Sequence, residues 1–361
     1  MKKHYIVITL LLLSSFAVFL SCGSDDSGEY KEVSPVVLDL SAVPYPKLSD
    51  YKFFIGEMKN LEPAYKVLPY DLNSSLFSDY ALKKRFVWMP EGVQATYSSD
   101  GEILNFPTGT ILIKNFYYDG VNPDNSTKII ETRLMIKRAD KWIFATYVWN
   151  DEQTEALLDM AGSDIRITAN INGESTLIKY RIPSEVECAT CHKLNDNAVP
   201  IGPKPQNLFK NYQYADGIQN QLEKWKKEGY LGGQVPTNVT ATIDWTDTTK
   251  PLSLRARSYL DINCAHCHTP GTSCGDMPMN LAFNQTENPA NFGMCVEPHE
   301  FVTGDQQYII DGQDVENSLL YFRISTIEKS EMMPTIGRSV IHNEGVMLIE
   351  EWINSMETTC P

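Results

Sequence analysis

Two short stretches hold the residues best equipped for chemistry: CATCH at Cys188–His192 and CAHCH at Cys264–His268. Two thiols three positions apart suit a zinc site, a disulfide, a redox dithiol or the thioether attachment of a haem. A four-cysteine zinc site usually joins two such turns across roughly 15–20 residues. Here 72 residues separate Cys191 from Cys264, which weakens the zinc reading. A redox dithiol belongs in a thioredoxin-like βαβ pattern, and neither copy lies in one. The histidine that follows each pair favours haem. One helical turn lets two thiols reach the two vinyl groups of a haem, and the next residue then projects its imidazole at the iron. The spacing therefore predicts two covalently attached c-type haems. Cys188, Cys191, Cys264 and Cys267 would be the thioether positions, and His192 and His268 the iron ligands.

Haem of this type is attached after export, and the N-terminus has the features of an export signal. Lys2 and Lys3 precede an apolar run from Ile6 to Leu20, which has signal-peptide length and is too short to span a bilayer. Ser21 then precedes Cys22. This arrangement resembles the lipobox of bacterial lipoproteins, with Phe19 where a small aliphatic residue is usual. The resemblance implies a cleaved signal over residues 1–21 and lipid attachment at Cys22. The small, acidic stretch CGSDDSGE reads as a solvated tether and resembles the sorting signals of surface lipoproteins. The expected location is the outer membrane, on its periplasmic or cell-surface face, with lipid as the only membrane contact.

The 361 residues carry a net charge of −15. Removing the signal takes away two lysines and no acids, leaving 29 basic against 46 acidic residues, or −17. That balance argues against nucleic acid as a partner. Redox donor and acceptor proteins are the expected partners, and the sequence does not identify them.

The elements that must position the motifs fall into successive stretches. Residues 22–45 read as a tether and 46–185 as a β-rich domain. Residues 186–250 form a first haem-binding segment, and 251–361 a domain around the second motif. TGTILIKNFYY, IIETRLMIKR and KWIFATYVWN alternate as strands. SDIRITANINGESTLIKYRIP reads as a hairpin turning at Asn172-Gly173. Further on, Ile218, Leu222 and Trp225 make a helical stripe that stops at Gly229. PLSLRARSYLDINCAHCH reads as a helix leading into the second motif, and HNEGVMLIEEWINSM as a closing amphipathic helix. The expected fold is multidomain α+β: an antiparallel β-sandwich or jelly roll, followed by mainly α-helical cytochrome c-type haem domains.

The last stretch resembles the class I cytochrome c domain: a helix into the motif, a Met-Pro loop, then a terminal helix. By that resemblance Met333, immediately before Pro334, is the sixth ligand of the second iron, with Met332 and His342 as substitutes. Met277 also precedes a proline but lies only nine residues after His268. The first motif has no such partner, because residues 193–217 contain neither methionine nor histidine. His299, His342, a distant methionine or an open iron position remain for it.

Over about residues 50–355 the chain also resembles a family of bacterial two-haem c-type cytochromes of the cell envelope. PYDLNSSLFSDYALKKRFVWMP, TYVWNDEQTEA, RIPSEVECATCH, RARSYLDINCAHCHTPG and MMPTIGRSVIHNEGV carry that resemblance. It assigns no donor, acceptor or substrate. Electron transfer is the leading expectation, since no catalytic triad or phosphate loop is present. The alternatives are a peroxidase-like enzyme with an open first haem, and a β-domain binding module with a redox accessory. Of the remaining cysteines, Cys274 and Cys295 close a modest loop and are the expected disulfide, worth about 3 kcal/mol. Cys360 would then be free.

Overall fold

Alternating apolar and polar residues between Leu68 and Ile182 build one antiparallel sheet of eight strands. In this computed structural model the described residues are 32–234, 237–299 and 306–361; the expected signal sequence and the expected lipid site at Cys22 lie outside them. The strands are β1 (Leu68–Tyr70), β2 (Leu82–Trp88), β3 (Ile111–Val121), β4 (Ser126–Lys137), β5 (Trp142–Trp149), β6 (Ala156–Leu158), β7 (Ser163–Ile171) and β8 (Glu174–Ile182). Their order is β8-β7-β3-β4-β5-β6, and β2 lies between β1 and the first part of β3. Only the end of β3, at Val121, reaches β7, where it pairs with Ala169. The β7–β8 hairpin turns at Asn172 and Gly173, both in the left-handed region (φ 52° and 93°), as the Asn-Gly pair predicts.

The two faces of the sheet bury different partners. Phe86, Trp88, Ile113, Leu134 and Ile136 project to one side and pack with Val43, Leu48, Tyr51 and Phe53. The expected tether is therefore partly structural: Val36, Leu38 and Leu40 lie against this core, and Tyr147 donates a hydrogen bond to the Tyr45 carbonyl at 2.8 Å. On the other side, Val87, Leu112, Met135 and Phe144 pack with Cys188, Leu208, Leu222 and Trp225 of the first motif's segment.

The expectation of a sandwich followed by mainly helical haem domains is overturned. The protein is mainly β, and residues 35–361 form one compact unit. Each face of the sheet is covered by loops and short elements, so no second sheet is needed to bury it. The α-helices among the described residues run from 4 to 12 residues. Proline, glycine, asparagine and threonine are frequent in 195–251 and 269–318, and the helices among the described residues there are short.

The helices that matter for the motifs are α1 (Glu185–Cys191), α2 (Gln221–Lys227), α3 (Leu252–Leu260), α4 (Leu319–Ser325) and α5 (Asn343–Asn354). Helix α2 is shorter than the expected stripe, and Ile218 sits exposed in a hairpin strand before it. Asn220 caps it by accepting from the Leu222 and Glu223 amides. Helix α3 runs into a π-helical turn, Asp261–Ala265, that holds Cys264 and opens the second motif. Tyr259, Leu260, Leu348, Ile349, Trp352 and Ile353 bind α3 to α5 in a core of their own. Among the described residues no helix is long and apolar enough to cross a membrane.

Candidate functional site

Helix α1 presents the first motif, and its start is firmly fixed. Ser184 and Glu187 form a capping box, and Arg181 pairs with Glu187 at 2.9 Å. Cys188 is buried against the sheet, and burial raises its thiol to about 11. The Nδ1 of His192 lies 2.9 Å from the Val199 carbonyl oxygen. That contact requires Nδ1–H, so Nε2 is left as the free nitrogen, the arrangement a metal-binding histidine needs. Burial lowers the His192 pKa to about 3, so the imidazole is neutral at ordinary pH.

The second motif borders a larger space. A cavity of about 460 Å³ is lined by Cys264, Cys267, His268, Met333, Met277 and His299, among others. His268 is lowered to about 4 by burial, and its buried Nδ1 has no hydrogen-bond partner among the described residues. Met333 is pinned by its backbone: its amide donates to the Arg323 carbonyl at 2.9 Å, and its carbonyl accepts from Arg338 Nε at 3.0 Å. Buried Arg338 also donates to the carbonyls of Arg323 (3.0 Å) and Thr326 (2.7 Å), fixing the whole loop.

The substitutes fare differently. Met332 is buried away from the cavity wall. His342 reaches the wall, but its ring stacks on Phe77 at 4.1 Å and its Nδ1 lies 3.0 Å from the Tyr259 hydroxyl. Each motif thus offers two thiols one turn apart and a neutral imidazole, the donor set that a covalently bound haem uses.

The two motifs meet. One ligand atom from each of Cys191, His266 and Cys267 lies within 4.8 Å of the others. Cys267 donates a hydrogen bond that pulls the Cys191 thiol below its usual range, with His266 adding to the effect. The loops are tied beside this contact: Ser273 Oγ donates to the Thr190 carbonyl at 2.5 Å, and the Asn195 amide to the Gly271 carbonyl at 2.8 Å. These three side chains are also a ligand set for a single metal ion with an open fourth position.

The block PYDLNSSLFSDY is what holds the motifs to the sheet. Ser74 Oγ donates to the Ile243 carbonyl at 2.6 Å, and the Phe77 amide to Asn263 Oδ1, next to Cys264, at 2.8 Å. Asp79 accepts from the Ser339 and Val340 amides at 2.5 and 3.1 Å. Tyr80 donates to Glu344 at 2.8 Å. On the sheet side, Tyr118 donates to the Asp79 carbonyl at 2.6 Å, and Arg85 pairs with Asp71 at 2.7 Å. The many small polar residues of this block are therefore connectors, a role that local periodicity does not reveal.

Sequence reasoning also missed two features near His192. His266, to which the motif spacing gives no role, lines the cleft at His192 as well as the cavity at His268. The cleft's other wall is the sheet, where Arg85 pairs across the strands with Lys114, and Lys114 with Arg133. Strand alternation around Lys114 was the available signal, since it places Lys114 on the same face as Leu112 and Phe116.

The disulfide differs from the expected one. Cys295 pairs with Cys360, 65 positions away, and Cys274 is a free thiol. The chain end folds back to make this pairing: Tyr308 donates to the Pro361 carbonyl at 3.0 Å, and the Cys360 amide to Asp311 at 3.2 Å. Cys274 instead stays in the turn after the second motif, its amide donating to the Cys267 carbonyl at 2.9 Å.

No protein-family model, curated protein or solved structure matches the chain.

Proposed function

We propose that this chain is a two-haem c-type cytochrome that relays electrons, exported and held to a membrane by lipid at Cys22. The observation that carries the reading is the meeting of the two motifs at Cys191 and Cys267, although 72 residues separate Cys191 from Cys264. Thioethers at Cys191 and Cys267 would attach the two haems at neighbouring positions of the chain. Haem supplies one-electron chemistry when bound. The residues of the chain then have distinct tasks. His192 and His268 would hold the irons, and Cys188, Cys191, Cys264 and Cys267 would attach the macrocycles. Met333 would supply a soft thioether to the second iron, which suits electron transfer. Donor and acceptor are separate redox proteins.

Mass spectrometry of protein made with a haem-attachment system tests the reading. Two haems bound to the four motif cysteines are expected, and protein that leaves this system with free motif thiols would overturn it. In such a protein, Met333→Ala should abolish the sulfur-to-iron band at the red end of the ferric spectrum. The proximity of Cys191, His266 and Cys267 favours one second reading, a single bound metal ion. It leaves Cys188, His192, Cys264 and His268 without a task. Metal analysis giving one zinc per chain and no haem is the result that would establish it.

A further inference from the structure

We propose that the pocket between the 98–106 loop and the turns of the two motifs binds a planar aromatic anion. The pocket measures about 500 Å³, larger than the cavity of about 460 Å³ at the second motif and ample for a fused-ring molecule. It is separate from the positions that the motifs assign to haem, because Cys188, His192, Cys264, Cys267 and His268 do not line it. Only Cys191, Ala265 and His266 of the two motifs border it, so the proposal stands without the two-haem reading.

The floor of the pocket is apolar and aromatic. Phe106 and Trp142, both buried, meet edge to face with ring centres 5.8 Å apart. Ile103, Leu104, Ile201 and Ile262 extend the apolar surface. Such a floor favours a flat ring, which adds dispersion and edge-to-face contact to a pair already in place.

The walls carry charge. Lys137, Lys193 and Lys204 stand around this floor, with Glu102 and Asp261 as the carboxylates beside them. Asp261 is buried and already engaged, by the Phe283 amide at 3.0 Å, Gln206 at 3.2 Å and Lys204 at 3.5 Å. Lys193 pairs at 2.9 Å with Asp196, whose side chain is exposed, so water screens that pair. Lys137 makes no ion pair among the described residues, and its ammonium lies 5.7 Å from the centre of the Trp142 ring. His266 adds a buried Nδ1 with no hydrogen-bond partner among the described residues. A cation beside an aromatic floor, in a chain whose net charge is −15, selects a ring that carries an anionic group. A flexible aliphatic anion would meet the lysines and lose the ring contact. A neutral ring would do the reverse.

Isothermal titration calorimetry of the full chain with naphthalene-2-sulfonate tests the site. Saturable binding of one molecule per chain is expected. It should be about tenfold weaker in Lys137→Met and unchanged in Lys84→Met, whose residue is exposed on the sheet. Ile103→Trp, at a half-buried position of the wall, should fill the pocket and abolish binding while circular dichroism shows the fold retained. Two further ligands separate ring from charge. Neutral 2-naphthol should bind the wild type about tenfold more weakly than the sulfonate does, and should bind Lys137→Met as it binds the wild type. Hexane-1-sulfonate should bind more weakly than the ring anion, and equal affinity would overturn the aromatic assignment. Absence of saturable binding to the wild type, or equal affinity of the ring anion for wild type and Lys137→Met, would overturn the site.

Discussion

The sulfur atoms of Cys191 and Cys267, one from each motif, lie within 4.8 Å of each other. In the chain with free thiols, this pair is open to oxidation across the motifs. Protein exported without haem attachment is expected to oxidise across the motifs, joining Cys191 to Cys267. Peptide mapping under non-reducing conditions should find that cross-link in preference to one within either CxxC. If only Cys188–Cys191 and Cys264–Cys267 links appear, the two motifs are not adjacent in solution.

Arg338 should govern how firmly Met333 is held. Its guanidinium is buried and donates to the carbonyls of Met333, Arg323 and Thr326. Arg338→Met leaves those acceptors unmet and is expected to cost about 3 kcal/mol. Chemical denaturation checks the magnitude. In haem-loaded protein, the sulfur-to-iron band should weaken while His268 stays bound.

Asp79 makes the corresponding test on the sheet side. Asp79→Ala strands the Ser339 and Val340 amides and should cost about 2–3 kcal/mol. Asp79→Asn keeps an oxygen acceptor and should cost about half as much. Equal losses for the two variants, measured by urea unfolding, would show that the carboxylate charge rather than the acceptor matters.

Cys360→Ser should destabilise the protein by about 4 kcal/mol, from loss of the loop closed by Cys295 and Cys360. Cys274→Ser should be nearly neutral. Unfolding curves, with disulfide mapping of the wild type, distinguish this from a Cys274–Cys295 pairing, which would reverse the two results.

His342 gives the protein an acid-sensitive joint. Burial lowers its pKa from 6.5 to about 4, so the folded state binds the proton more weakly than the unfolded state. Its contribution is therefore complete above pH 6.5 and is lost as pH falls to about 4. The loss amounts to about 3 kcal/mol. Stability measured against pH for wild type and His342→Gln should differ in slope across this window, with the variant flatter. Parallel curves would mean that His342 is not buried as a neutral ring.

Local chemistry was legible wherever it depends on neighbours in the chain. The Cys-x-x-Cys-His spacing, the Asn172-Gly173 turn and the amphipathic α5 follow from positions a few residues apart, where backbone geometry alone decides what side chains share. The fold class was misread because residues 186–361 were expected to be mainly helical. The short helices of residues 186–250 find their partner in the sheet face, and α3 and α5 bury one another in a core of their own.

Everything that relates the two motifs belongs to the tertiary structure. The approach of Cys191 to Cys267, the cross-strand row of Arg85, Lys114 and Arg133, and the pairing of Cys295 with Cys360 join residues far apart in sequence. Such contacts follow from how strands register and loops cross the sheet, and no local pattern encodes that. Sequence determined that each motif places two thiols and an imidazole within about one turn. The fold decided that the two motifs stand side by side at Cys191 and Cys267.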